Sequence, residues 1–318
     1  MDIKNISVLG TGTMGHGIAL LSAISKLNVK IYGRSDESLA RGFSSIKNSI
    51  HILTNHGKIN DSEAKSILNR ITGVKTIEEA VKDTDFIIES LAENLDLKRN
   101  FFKKMDSLCK KEVILATNTS GLSPTKIAEG TKYPERVVVA HFWNPPQLIP
   151  LVEIVPGEKT SKDTISKTKE LIEFIGKKPV CMEKECPGFI GNRLQLALLR
   201  EAMYIVEQGF AKPEEVDKAI EYGHGRRLPV TGPLMSADLG GLDIFYNVSS
   251  YLFKELCDYK DPFDMMKDKV AHGNLGSKSG EGFYKWSKEA TYEKQKDRSD
   301  VLLYFLDKDK NKNKLESH

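Results

Sequence analysis

Apolar and polar positions follow two rhythms along this chain, and the rhythm changes once. In the first half, the short apolar runs ISVLG, NVKIYG, DFIIES, VILATNTS and RVVVAHFW are separated by longer stretches of helical periodicity. Runs of that kind suit strands buried on both faces, and strands taking turns with helices specify a parallel sheet with helices on each side. Residues 39–72 form a long helical insert whose pattern breaks at His56-Gly57, which predicts a helical hairpin. After Pro187 the strand signals cease, and NRLQLALLREAMYIVEQG and PEEVDKAIEYG predict amphipathic helices closed by Gly209 and Gly223. The boundary falls near Cys186-Pro187-Gly188, dividing an α/β domain over 1–187 from an all-α domain over 188–305. The segment after Ser287, with RSDVLLYFL, predicts an added terminal helix, and residues 306–318, polar and low in complexity, predict a disordered tail.

Composition changes this picture little. With 318 residues, 40% hydrophobic and 29% charged, the chain has room for two cores and the balance of a soluble globular protein. Its 47 basic and 44 acidic side chains leave a net charge of +3, which gives no reason to expect nucleic acid or anionic lipid as a partner. The N-terminal MDIKNISVLGTG has no basic segment followed by an apolar run and cleavage site, and no apolar run reaches membrane-span length, so a cytoplasmic location is expected. Among four cysteines only Cys181 and Cys186 are close in sequence, and CMEKEC has no second pair or histidine cluster to complete a zinc site; no metal is expected.

The chemistry begins at ISVLGTGTMGHGIAL, where Gly10, Gly12 and Gly15 stand in G-x-G-x-x-G order between a strand and a helix. Gly10 permits a tight turn, Gly12 the close approach of a pyrophosphate, and Gly15 close helix–sheet packing, with Thr13 and Met14 opening the helix whose N-terminus faces the phosphates. The alternative is a glycine-rich turn without a ligand. At the end of the second strand, where a carboxylate ordinarily holds the ribose hydroxyl of NAD, the chain has Gly33-Arg34-Ser35. A glycine removes the group that repels a 2′-phosphate, Arg34 supplies a charge-assisted contact to it, and Ser35 adds a hydroxyl. This reading favours NADP(H). NAD(H) is the cofactor if Arg34 is a solvated loop residue and the backbone or Asp36 holds the ribose.

His141 closes the apolar run Val137–Ala140, at the end of a strand where open α/β sheets place their ligands. A lone histidine there is more often structural, but Glu153 follows twelve residues on in another short strand. A carboxylate paired with an imidazole fixes its tautomer and raises its basicity. Ser120, ending the preceding strand, is placed to bind a substrate oxygen.

These motifs together, GTGTMGHGIA, ENLDLKRNFF, NTSGL, HFWNPP, LVEIV, PGFIGNRL and KSGEGFYKW, occur in the order found in the L-3-hydroxyacyl-CoA dehydrogenase family, which the chain resembles over residues 3–287. The resemblance implies a Rossmann domain with a helical hairpin, then a helical domain that forms a homodimer. It implies hydride transfer between a nicotinamide and the 3-hydroxyl of an L-3-hydroxyacyl substrate, with His141 as general base and Glu153 orienting it. Ser120 and Asn192 would bind the substrate oxygen, and Glu93, Lys98 and Asn144 would line the nicotinamide side. In CoA-using members, lysines on the hairpin meet the CoA phosphates; two matching positions here hold Ile52 and His56, leaving Lys47 and Lys58 as substitutes. That departure weakens a CoA substrate without removing it, and a 3-hydroxybutyryl-CoA-like thioester stays ahead of a CoA-free 3-hydroxy acid of gulonate or carnitine type, whose carboxylate Arg226 and Arg227 could face unless they are a solvated or dimer-facing basic pair. A non-catalytic nucleotide-binding or structural protein is the reading from another class.

Overall fold

In the computed structural model, which describes residues 3–316, contacts divide the chain into two units, one of residues 1–190 with those from Ser299 onward, the other Gly191–Arg298. The first unit is built on strand–helix alternation. It runs β1 (Asn5–Leu9), α1 (Thr13–Ile24), β2 (Asn28–Tyr32), α2 (Asp36–Asn55), α3 (Asp61–Asn69), β3 (Ile71–Val74), α4 (Ile77–Val81), β4 (Phe86–Glu89) and α5 (Leu95–Leu108). It continues through β5 (Ile114–Thr117), α6 (Pro124–Ala128), β6 (Val137–Phe142), β7 (Leu151–Pro156), α7 (Lys162–Phe174) and β8 (Lys178–Cys181).

The strands form one sheet in the order β3-β2-β1-β4-β5-β6-β7-β8. The strands expected from apolar runs are all present; β1, β4, β5 and β6 are almost wholly buried because helices cover both faces of the sheet, while β2 buries only Val29 and Ile31. One face packs Val8, Ile31, Ile88, Ala116 and Ala140 beneath α1, α2 and α7; the other packs Leu9, Ile87, Leu115 and Val137 beneath α4, α5 and α6. The expectation of a parallel sheet needs one correction, since β7 runs antiparallel to β6. Only residues 143–150 join them, too few for the crossover that a parallel neighbour requires. The edge strands β3 and β8 carry no long apolar run, and this is why the hydrophobic pattern does not disclose them.

The helical insert is α2 and α3, broken at His56 and Gly57, the latter in the left-handed region at φ +66°. It starts before Leu39 because Ser35 caps α2, its side chain accepting from Ser38 N.

The second unit contains α8 (Gly191–Glu207), α9 (Pro213–Tyr222), α10 (Pro233–Gly240), α11 (Leu242–Leu252), α12 (Asp264–Ala271) and the start of α13 (Lys288–Glu316). Its own core is small, centred on Met203, Cys257 and Phe263. Two expectations about the C-terminus are corrected here. Residues from Ser299 belong with the first unit, where Leu303 is buried and Leu302 and Leu306 pack on its core. Residues 306–316, expected to be disordered, continue α13, while Ser317 and His318 lie outside the described residues. The segment from Lys288 has no glycine or proline, and a helix already docked by its leucines propagates at little cost per residue. Among the described residues, no helix is long and apolar enough to cross a membrane.

Candidate active site

In the sheet order, β1 and β4 are neighbours from which the chain winds in opposite directions, so a crevice opens beyond their C-terminal ends. Gly10 follows β1 at φ +122°, and a Cβ there would lie 2.4 Å from the Ser90 carbonyl oxygen that follows β4. A Cβ on Gly15 would lie 2.0 Å from the Gly10 carbonyl oxygen, while one on Gly12 would meet nothing within 4 Å. The first and third glycines are thus demanded by backbone packing, while the second leaves open space beside the loop. Each of α2 to α7 has a side-chain N-cap, whereas α1 has Gly12 at that position, no side-chain cap and no acid in its first turn. The opening N–H groups at Thr13, Met14 and Gly15 suit the pyrophosphate of a dinucleotide.

Gly17, which the motif does not include, has a second structural demand: a Cβ there would lie 2.4 Å from Pro146 Cγ. The 143–150 loop therefore sits directly on the glycine-loop helix. Gly33 is also a packing glycine, since a Cβ would lie 2.6 Å from Ser38 Oγ and 3.0 Å from Leu39. Arg34 is exposed beyond β2, whereas the Ser35 hydroxyl is committed to its cap and to Glu37, whose carboxyl it holds below the usual range.

His141 and Glu153 are direct register partners in the antiparallel β6–β7 pair. Cross-strand partners project from the same face with Cβ atoms about 5 Å apart. Here His141 Nδ1 and Glu153 Oε2 are 2.8 Å apart, and the residues are only 5% and 1% exposed. An ionised carboxylate can only accept, so Nδ1 is the donor, and in the neutral imidazole the lone pair is then on Nε2. Other donors also hold Glu153, among them Trp143 Nε1, which reaches Oε2 at 3.1 Å, and Ile190 N, which reaches Oε1 at 2.9 Å. Phe189, just before Ile190, takes φ +53° and lies tilted against the imidazole with ring centroids 5.6 Å apart. Left-handed backbone at a bulky residue is costly and persists where its surroundings enforce it.

Against this geometry stand the comparisons with known proteins. The family model for the 3-hydroxyacyl-CoA dehydrogenase NAD binding domain matches residues 5–186, and that for the C-terminal domain matches residues 188–286. The chain belongs to the 3-hydroxyacyl-CoA dehydrogenase family. As a member, it is an oxidoreductase that acts on CH–OH donors and binds a nicotinamide cofactor. It is 36% identical, over 95% of its length and 96% of the relative's, to 5-formyl-3-hydroxy-2-methylpyridine 4-carboxylate 5-dehydrogenase of Mesorhizobium japonicum. It is 36% identical, over 89% of its length and 99% of the relative's, to 3-hydroxybutyryl-CoA dehydrogenase of Clostridioides difficile. A solved structure of a 5-formyl-3-hydroxy-2-methylpyridine 4-carboxylic acid 5-dehydrogenase, an NAD+ dependent dismutase, superimposes with TM-score 0.88 at 35% identity, covering 95% of this chain and 97% of that one.

In this member of the dehydrogenase family, the residues expected on the nicotinamide side first serve one another. Lys98 is 1% exposed, its ammonium 2.7 and 2.9 Å from the two oxygens of Glu89 and 3.5 Å from Glu93 Oε2. Glu89, fully buried at the end of β4, also accepts from Leu91 N at 2.6 Å and Thr117 Oγ1 at 2.7 Å. Glu93 Oε1 in turn accepts from Ser120 N at 3.0 Å and from the Thr119 hydroxyl. Asn118 Oδ1 accepts from Phe142 N at 2.8 Å, beside His141. The exposed Ser120, the buried His141 and the exposed Asn144 are thereby set on adjoining strand ends of the first unit; Asn192 stands in the first turn of α8, in the second. Glu89, Thr117, Asn118 and Trp143 have no role assigned from the sequence, although Asn118 lies in NTSGL and Trp143 in HFWNPP. The signal for Glu89 is a carboxylate ending an otherwise apolar strand, where burial demands a partner.

Proposed function

We propose that the protein is a nicotinamide-dependent L-3-hydroxyacyl dehydrogenase in which His141 moves the hydroxyl proton. The observation that supports this best is the buried His141–Glu153 pair at the ligand edge of the sheet. A secondary alcohol holds its proton far above neutral pH, so its oxidation calls for a base, worth about 10²- to 10⁴-fold. The nicotinamide, when bound, supplies the site that takes or gives the hydride. His141 Nε2 accepts the hydroxyl proton in oxidation and returns it in reduction, and Glu153 stabilises the imidazolium that forms between. Ser120 and Asn192 are assigned to the substrate oxygen, where donors act on developing charge. Replacing His141 by Gln is expected to abolish turnover while cofactor binding is retained; unchanged turnover would remove the base.

A 3-hydroxybutyryl-CoA-like thioester is the first substrate reading, supported by the family and by the relative from C. difficile. A CoA-free 3-hydroxy acid is the second, favoured by the terminal helix. Lys58, one of the two lysines left to meet CoA phosphates, is ion-paired to Asp307 of α13, and His56 Nε2 lies 3.8 Å from Asp300, while the other lysine, Lys47, is exposed on α2. The Mesorhizobium relative, a pyridine carboxylate dehydrogenase, aligns over 95% of this chain. Following reduced-nicotinamide absorbance with acetoacetyl-CoA and with free 3-keto acids separates the two; no turnover with any acceptor would favour a non-catalytic role.

The cofactor within this proposal is NADP(H), supported by the absent carboxylate at Gly33 and the exposed Arg34. Affinity for NADP(H) should exceed that for NAD(H), and Arg34→Ala should remove the difference; tighter NAD(H) binding, indifferent to Arg34, refutes it. A homodimer through the helical unit is supported by its exposed apolar side chains, among them Leu234, Leu239 and Tyr246 at 83%, 75% and 73% exposure. Sedimentation at micromolar concentration tests this. The same reading places the enzyme in the cytoplasm, in keeping with the free thiols of Cys109, Cys181, Cys186 and Cys257.

A further inference from the structure

We propose that Trp143 is a positioning residue of the reaction, acting on His141 through a shared oxygen of Glu153. The inference rests on His141 being the base. Indole N–H is donor-only, and so is the Nδ1–H that faces the carboxylate. Both converge on Oε2, Trp143 Nε1 at 3.1 Å and His141 Nδ1 at 2.8 Å, while Ile190 N holds Oε1 at 2.9 Å. The terminal torsion of a carboxylate is broad and has no sharp minimum, so the bonds from His141 and Ile190 N leave it room to tilt. The indole supplies a second bond to Oε2 from a different direction and so narrows the range of the carboxylate plane. The imidazole follows that plane through Nδ1, which sets where the Nε2 lone pair points.

Ring contacts act in the same sense. His141 is in ring contact with both Trp143, at 5.8 Å and 52°, and Phe189, at 5.6 Å and 58°. Val139 and Val155, on the same sheet face as the pair, form with Phe189 the small apolar cluster beneath it. Trp143 opens the 143–150 loop, whose Pro146 sits on the glycine-loop helix at Gly17. The same short loop thus contributes the group that orients the base and a contact on the helix that faces the cofactor.

The test separates the N–H from the ring. Trp143→Phe keeps an aromatic surface and deletes the donor; kcat should fall about tenfold, at the lower end of what a hydrogen bond to a charged acceptor contributes, with KM and calorimetric cofactor affinity unchanged. Trp143→His, a smaller ring that can still donate, should recover part of the loss. A packing role predicts the opposite order, and a Phe variant as active as the His variant would overturn the proposal even if both fold less well. In the Glu153→Gln background the Trp143→Phe change should add nothing, because the two act through one bond. Full additivity would also overturn it. An active His141→Gln variant would instead remove the base reading on which the proposal stands, whereas an inactive one beside a fully active Trp143→Phe removes Trp143 alone.

Discussion

Lys177 carries a charge where the fold gives it little support. It follows α7, is 4% exposed, and donates from Nζ to the Ile149 carbonyl at 2.9 Å; among the described residues no ion pair to a carboxylate is formed. Burial pushes its ammonium down from 10.5 to about 8. That displacement corresponds to about 3 kcal/mol of desolvation borne by the charged form. Below pH 8 both folded and unfolded chains are charged here, and the folded state carries the whole cost. Between pH 8 and 10.5 the folded protein releases the proton while the unfolded chain keeps it, so this group makes stability rise with pH through that window. Lys177→Met removes the titration and leaves one carbonyl without its donor, a loss of about 1 kcal/mol. The variant should therefore be more stable than the parent by about 2 kcal/mol at neutral pH, and less stable by about 1 kcal/mol near pH 10.5. Urea unfolding of both proteins across this range measures the difference directly. A difference that stays constant with pH would show that Lys177 is not charged in a desolvated site, and the reasoning would fail.

Other expectations separate packing from function. Gly15→Ala, whose Cβ would meet the Gly10 carbonyl at 2.0 Å, should lower stability by more than about 2 kcal/mol in thermal unfolding. Gly12→Ala, with open space around its Cβ, should leave the melting temperature unchanged and weaken cofactor binding in calorimetry. Lys98→Met strands the buried Glu89 carboxylate and should cost about 3–5 kcal/mol in denaturant unfolding, most of it recovered when Glu89→Gln is added. Deleting the chain from Ser299 should expose the site of Leu303 and lower the melting temperature, while freeing Lys58 from Asp307.

How far the sequence discloses this site depends on the range of the interactions that build it. The glycine loop is local: strand, turn and helix lie within about twenty residues, and Gly10 and Gly15 have backbone reasons that the motif states in advance, while Gly12 leaves open space. His141 and Glu153 are semi-local. A separation of twelve residues suits antiparallel partners joined by a short connection, but apolar periodicity does not give strand direction, and so the sheet was expected to be parallel throughout. The register decides which face both side chains share. The terminal helix lies further from view, because its polar repeats mimic disorder and only the docking of Leu302, Leu303 and Leu306 supplies the stabilising surface. The role of Gly33 is likewise hidden: the missing carboxylate bears on cofactor choice, while the close approach of Ser38 and Leu39 gives a packing reason for the same glycine.

The network at the ends of β4 and β5 explains why a motif can mark a residue without disclosing what it touches. ENLDLKRNFF marks Glu93 and Lys98, but the partner of Lys98 is Glu89, nine residues earlier, and that of Glu93 is the Thr119–Ser120 turn on another strand. A buried ammonium must be paired before it can serve a ligand, since leaving it alone costs several kcal/mol, and Glu89 meets that demand with both oxygens. Once Lys98 is fixed, Glu93 has one oxygen drawn toward the ammonium and the other left for Ser120 N. The position of Ser120 is therefore set by a chain of charges whose first link, Glu89, is fully buried. If that chain positions Ser120 for substrate, Glu93→Gln should alter kcat with substrate more than it alters cofactor affinity. A variant that loses cofactor binding and keeps kcat would show instead that Glu93 serves the nicotinamide directly.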